Sequence, residues 1–349
     1  MKDHTIKLNR VFVILFFLLL GDSGTAEFTA QIMDDPALQR NDQNEYESVT
    51  FYVQAHQDDW QLFQGEKVWS DINSNLRKNK VVFIYTTAGD NNGIPTDDYW
   101  KDGYRGTVAS IKATLSDDTL LVDNFIKNNI KIKNINGHKI AFYTYANTES
   151  YFLQLPDGGY DSSTPIGSGN GYKDGRGWGK RDKSLKLLHA GIPLETIHCV
   201  DPIFKTTYRN WEDFVNTLEQ IIVEATPEYL EYSHPRIHVA DFDPDYREQV
   251  RGLSRIGKNN LGEISDHSDH QETAHAIEEI CDNSRNQGKY HRILYLTYCN
   301  SSQKANLSPE DIKHKKIQYD AYHTETGGIK YGDDWLTKSY WREVSSTPE

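Results

Sequence analysis

The sequence predicts an α/β fold: a single domain in which a mostly parallel sheet is flanked by helices. Three observations carry that prediction. Runs of β-branched and aromatic residues recur at 49–53 (V-T-F-Y-V), 80–87 (K-V-V-F-I-Y-T-T), 139–146 and 236–242, as buried strands require. Stretches with helical spacing lie between several of them, and strands alternating with helices build right-handed βαβ units and a parallel sheet. The 349 residues contain no internal repeat and no linker-like stretch, so one doubly wound domain accounts for the chain.

In chain order, residues 1–26 stand apart. Lys2, Lys7 and Arg10 precede an apolar run at 11–20, and Gly24, Thr25 and Ala26 offer a small-residue cleavage site, the pattern of a secretory signal peptide. Ten apolar residues are too few to span a hydrocarbon core of ~30 Å as a stable helix. The expectation is a mature domain of 27–349, secreted or periplasmic, with no stable membrane span once the signal is removed.

The first strand, 49–53, runs directly into Gln54-Ala55-His56-Gln57-Asp58-Asp59-Trp60. A helix over 60–73 would turn Trp60, Phe63, Val68 and Ile72 inward. The strand at 80–87 ends in Ala88-Gly89-Asp90. Residues 91–103 read as a loop, and 104–115 as a helix. A third strand, 139–146, opens onto Leu155-Pro156-Asp157-Gly158-Gly159, and the Gly- and Ser-rich stretch to 179 reads as a long surface loop. Further strands are expected at 196–200, 236–242 and 292–299, and helices at 210–224, 271–282 and 308–322, the last opened by Ser308 and Pro309 as N-cap and first-turn residues.

Lys and Arg number 38 against 51 Asp and Glu, a formal charge of -13. An acidic chain is a poor partner for a phosphate backbone, so no nucleic acid is expected. Cys199, Cys281 and Cys299 match no zinc-finger or redox spacing and read as structural. Asn300-Ser301-Ser302 and Asn306-Leu307-Ser308 are sequons for N-glycosylation. Composition says nothing about oligomeric state.

In an open α/β sheet, ligands gather beyond the carboxyl ends of the strands. His56, Asp58 and Asp59 follow such an end, and His267-Ser268-Asp269-His270 opens a helix some two hundred residues later. Two imidazoles and a carboxylate with an open position make a hydrolytic zinc site, and His56, Asp59 and His270 can supply them. The same set suits ferrous iron. Asp58, beside a ligand but pointing elsewhere, is the candidate general base. A protonated His267 would stabilise an oxyanion or donate to a leaving amine, and Asp269 would hold an imidazole in its tautomer.

These residues resemble a known family. Ala55-His56-Gln57-Asp58-Asp59, then Thr87-Ala88-Gly89-Asp90, a helix led by Arg105, and His267-Ser268-Asp269-His270 look like the motifs of the LmbE/PIG-L family of zinc-dependent N-acetylglucosamine deacetylases. The likeness covers about 50–275. It implies a Rossmann-like fold, zinc on His56, Asp59 and His270, Asp58 as base, and His267 polarising the carbonyl or stabilising the oxyanion. Residues 153–158 and Tyr99-Trp100 look like features of secreted members, which brings Trp100, Asp157 and Arg105 in as substrate-binding candidates. The chain departs from the family pattern at Trp60, where an acidic residue is usual, and at Gly106, where Glu is.

The function expected is removal of an N-acetyl group from an amino sugar or glycoconjugate, with release of acetate. Two rivals stand beside it: a carbohydrate-binding protein on the same fold without turnover, and a zinc amidase for a non-sugar N-acyl group.

Overall fold

The structure is a computed structural model, and it describes residues 46–74, 78–89, 99–117, 120–158, 183–197, 205–231, 233–241, 267–298, 300, 303–327 and 335–344. The expected signal segment, 1–26, lies outside the described residues, as do Cys199, Cys299 and most of the expected loop to 179. Among the described residues no helix is long and apolar enough to cross a membrane.

The central sheet has eight strands: β1 (Ser48–Gln54), β2 (Asn79–Thr87), β3 (Lys131–Ile135), β4 (His138–Tyr145), β5 (Thr148–Leu155), β8 (Arg236–Ala240), β9 (His291–Tyr295) and β10 (Trp341–Val344). Two-residue strands β6 (Leu194–Glu195) and β7 (Thr207–Tyr208) form a separate ladder. The order across the sheet is β10-β9-β8-β1-β2-β5-β4-β3. β9, β8, β1, β2 and β5 run parallel, β10 pairs antiparallel with β9, and β4 runs antiparallel between β5 and β3. This is a mostly parallel α/β sheet. Its chain order reverses at β1, with β2 on one flank and β8 on the other, so a crevice opens beyond the carboxyl end of β1.

The helices are α1 (Asp59–Phe63), α2 (Gly65–Asn73), α3 (Tyr99–Leu115), α4 (Val122–Asn129), α5 (Leu185–His189), α6 (Trp211–Ala225), α7 (Ser268–Asp282) and α8 (Pro309–Thr326). Alternation along β1 sorts its side chains. Val49, Phe51 and Val53 pack into a core with α5, α6 and α7, while Tyr52 faces the opposite core built with α2, α3 and α4. Fully burying one such Val or Phe contributes about 1.5–3 kcal/mol. With both faces covered, β1 and β2 read as unbroken apolar runs rather than alternating ones.

Several expectations are corrected. The helix expected over 60–73 is two helices, broken at Gln64 (φ -136°). Gly65 lies so close to α8 that a Cβ there would sit 2.6 Å from Gln318 Oε1 and 2.9 Å from Lys315 Cγ. The strand expected at 139–146 is the antiparallel β4, and its hairpin partner β5 is the parallel strand that leads to Asp157. Helix α3 begins at Tyr99, so Trp100 is a helical residue rather than a loop one. Of the strand expected at 196–200, residues 198–200 lie outside the described residues, and the short β6 ends just before it at Glu195. Ser308 caps α8 as expected, its Oγ accepting from Asp311 N at 3.1 Å.

Both departures from the family pattern are packing features. Trp60 is fully buried, its Nε1 donating to Tyr85 Oη at 3.0 Å. A Cβ at Gly106 would meet the Tyr322 ring at 2.5 Å, so only glycine lets α8 close on α3 there. The two sequons differ: Asn300 has no exposed surface, whereas Asn306 is exposed, its side chain donating to Ser339 O at 2.6 Å and accepting from Ser339 N at 2.9 Å.

Candidate metal centre

Three chain segments meet in the crevice beyond β1. The first is the turn from β1 into α1. His56 N donates to Asp59 Oδ2 at 2.8 Å, which fixes the carboxylate under the imidazole. Thr87 N and Oγ1 both donate to Ala55 O, and Gln57 Nε2 returns a bond to Thr87 O at 2.9 Å, so the ends of β1 and β2 are tied together. Gly89 (φ +58°) turns the chain away where a Cβ would lie 2.4 Å from Gln57 Oε1.

The second segment is the start of α7. His267 is its N-cap, and its Nδ1 accepts from Asp269 N at 3.3 Å. Thr273 and Thr86 share a hydroxyl bond at 2.8 Å that ties α7 to β2. The third is the end of β5. There Gly158 N donates to Asp269 Oδ2 at 2.7 Å, and a Cβ on Gly158 would come within 2.7 Å of Asp269 Oδ1.

The donors fall on two sides of one ring. His56 Nδ1 lies 3.5 Å from Asp59 Oδ1, which is 3.0 Å from His270 Nε2. His56 Nε2 lies 3.6 Å from both Asp157 Oδ2 and Asp269 Oδ2, and His267 Nε2 lies 3.5 Å from Asp157 Oδ1. Each set, His56-Asp59-His270 and His56-Asp157-His267-Asp269, is buried and has donor atoms within 4.8 Å of one another, close enough to hold a metal ion.

The electrostatics follow from burial and adjacency. Burial opposes charge on His56, but Asp59 and Asp157 overturn it and hold its pKa well above the ordinary histidine range. Burial also disfavours the Asp59 carboxylate, yet His270 and His56 hold its pKa well below the usual range. Burial, reinforced by Asp59, pushes Asp58 up to about 6. For His267, burial and then the neighbouring His56 lower the pKa. The ring is therefore neutral rather than protonated, and with Nδ1 accepting a backbone N–H its proton sits on Nε2.

His56, Asp59, Asp157, His267, Asp269 and His270 are thus brought together. Asp58 stands beside them, half-buried and with no side-chain capping bond. Trp100 and Arg105 do not join the cluster. Trp100 is buried in the core against Tyr104, ring centroids 5.4 Å apart, and Arg105 pairs with Glu325 of α8 at 3.0 Å. The sequence reading passed over an aromatic border: the Tyr298 ring lies 5.0 Å from that of His270, with Phe63 and Trp335 each 5.8 Å from it. Tyr298 follows β9 at the same end of the sheet, a position the strand-end rule alone would have flagged.

No family model and no curated protein matches the chain. Among solved structures it is similar to the zinc-inhibited form of teicoplanin deacetylase Orf2, with 10% identity and a TM-score of 0.42 over 80% of this chain and 84% of the other. A likeness that weak carries no functional weight.

Proposed function

We propose that the chain is a divalent-metal hydrolase that cleaves an N-acyl amide, with an N-acetyl amino sugar as substrate. One observation carries the reading: His56 Nδ1, Asp59 Oδ1 and His270 Nε2 converge among buried side chains, with Asp58 beside them and His267 on the other side of the His56 ring. Two imidazoles and one carboxylate fit zinc or ferrous iron in donor chemistry, and three protein ligands leave a position open. Bound there, such an ion would polarise the amide carbonyl and bring the pKa of a water to about 7.

The remaining work falls to side chains. Asp58 takes a proton from the attacking water and delivers it to the leaving amine, as a carboxylate beside the ligands and outside the donor set can. His267 donates its Nε2–H to the carbonyl oxygen as negative charge develops, and needs no reorganisation to do so, because Asp269 N fixes the tautomer. Asp157 and Asp269 set a negative field on the Nε2 side of His56. The sugar preference is supported by the motif resemblance, and the N-terminal pattern supports an exported protein, checked by sequencing the mature N-terminus from the native host.

The test is the metal content of the mature protein beside His270→Ala. Near-stoichiometric zinc or iron in the wild type, little in the variant, and acetate release from N-acetylglucosamine conjugates by the wild type alone are expected. Wild-type protein that takes up no metal when supplied would sink the reading.

A further inference from the structure

The proposed centre uses one nitrogen of His56, and the other faces a group for which that centre has no use. His56 Nε2 is buried and without a hydrogen-bond partner, and so is Asp269 Oδ1. A buried polar atom left unpaired costs about 1–3 kcal/mol, and His56 Nε2 is flanked at 3.6 Å by Asp157 Oδ2 and Asp269 Oδ2, a spacing that leaves room for something that pairs it. We propose that His56 Nε2, Asp157, His267 and Asp269 form a second divalent-cation seat, filled when zinc is in excess and inhibitory when filled.

The spacing distinguishes a cation seat from a hydrogen-bonded relay. At 3.6 Å the Asp157 and Asp269 oxygens are too far from His56 Nε2 for a hydrogen bond. Donor atoms bound to one tetrahedral ion at ~2.0–2.2 Å stand about 3.3–3.6 Å from one another, and the 3.5 Å from His267 Nε2 to Asp157 Oδ1 falls in the same range. Charge agrees: two carboxylates and two imidazoles neutralise a divalent ion, and no anion would enter between two carboxylates. Gly158 orients the carboxylate, for its N–H holds Asp269 Oδ2, the oxygen nearest His56 Nε2, at 2.7 Å.

With an ion already on Nδ1, the His56 ring carries its proton on Nε2. A second ion displaces that proton to solvent and the ring becomes a shared imidazolate, so the second seat binds more weakly than the first. Binding through His267 Nε2 also requires that nitrogen's proton to move to Nδ1, which breaks the bond from Asp269 N, and so takes the Nε2–H away from the oxyanion. That effect on turnover rests on the function proposed above, whereas the seat itself does not.

Equilibrium dialysis of the mature protein against zinc tests the seat. The wild type should take up two ions, the second with at least tenfold lower affinity. Asp157→Asn and Asp269→Asn should keep only the tight ion, and His270→Ala only the weak one. Saturation at one ion, with Asp157→Asn titrating identically, would overturn the seat and leave both carboxylates as orienting groups. A His270→Ala protein that kept the tight ion would instead overturn the catalytic centre. As a check that needs no variant, wild type loaded with two Cu²⁺ should lose the isolated-ion EPR signal through the shared ring; two undiminished signals would refute the sharing.

Discussion

Lys315 and His56 are both ionisable and both buried, and their surroundings treat them in opposite ways. Lys315, on α8, gives its ammonium to three carbonyls, Leu62 O at 2.8 Å, Trp335 O at 2.9 Å and Lys338 O at 2.7 Å. Burial lowers its pKa to about 8, with Glu66 offsetting only part. At neutral pH it stays charged and every donor is used. His56 feels the same burial, but its carboxylate neighbours reverse the shift while one ring nitrogen stays unpaired. A saturated group fastens α1, α8 and residues 335–338 together, whereas an unsaturated group at a strand end retains capacity for a ligand.

Four experiments break or sharpen that contrast. The largest effect is expected from Asp58→Asn, which should lower acetate release by about 10²–10⁴ while zinc content stays at the wild-type level; a loss under threefold would remove Asp58 from the chemistry. Lys315→Met should cost about 3–5 kcal/mol in urea unfolding, because three carbonyls lose their donor at once. Wild-type stability in that variant would show that the saturated group is not a fastener. Stripping metal with a chelator should lower the wild-type melting temperature, by the equivalent of about 2.7 kcal/mol when free zinc had stood at a hundred times Kd, and should leave His270→Ala nearly unmoved. The smallest change belongs to Arg105→Ala. Its pair with Glu325 is part-exposed and worth about 0.2–1 kcal/mol, and KM should not change; a tenfold rise in KM would return Arg105 to the substrate.

The residues that could be read from the sequence are those whose position follows from sheet topology. His56, Asp58 and Asp59 trail a strand of five β-branched and aromatic residues, and in a parallel sheet such a strand's carboxyl end lies on the edge where ligands gather. His270 is placed by the start of α7. Helix α8 shows the opposite case: its buried residues are Lys315, Gln318, Tyr319, Tyr322 and His323, a polar seam with no apolar stripe to mark which face turns inward. The break at Gln64 was hidden for a related reason, since it depends on how close α8 comes to Gly65. Trp100 and Arg105 sit on α3, where the rotation of the helix decides between core, partner and pocket. Asp157 was found in sequence as a substrate contact, but its place between two imidazoles depends on β5, which pairs in parallel with β2 only after a hairpin that the sequence reading missed.

The buried sequon bears on how the protein is made. Oligosaccharyl transfer acts on the chain as it emerges, before the fold has closed over Asn300, and a sugar tree attached there could not be enclosed afterwards. Every molecule modified at that asparagine would be withheld from the native state. Yield from a glycosylating host should therefore fall in proportion to occupancy at Asn300, and a bacterial host, or Ser302→Ala in a eukaryotic one, should restore it.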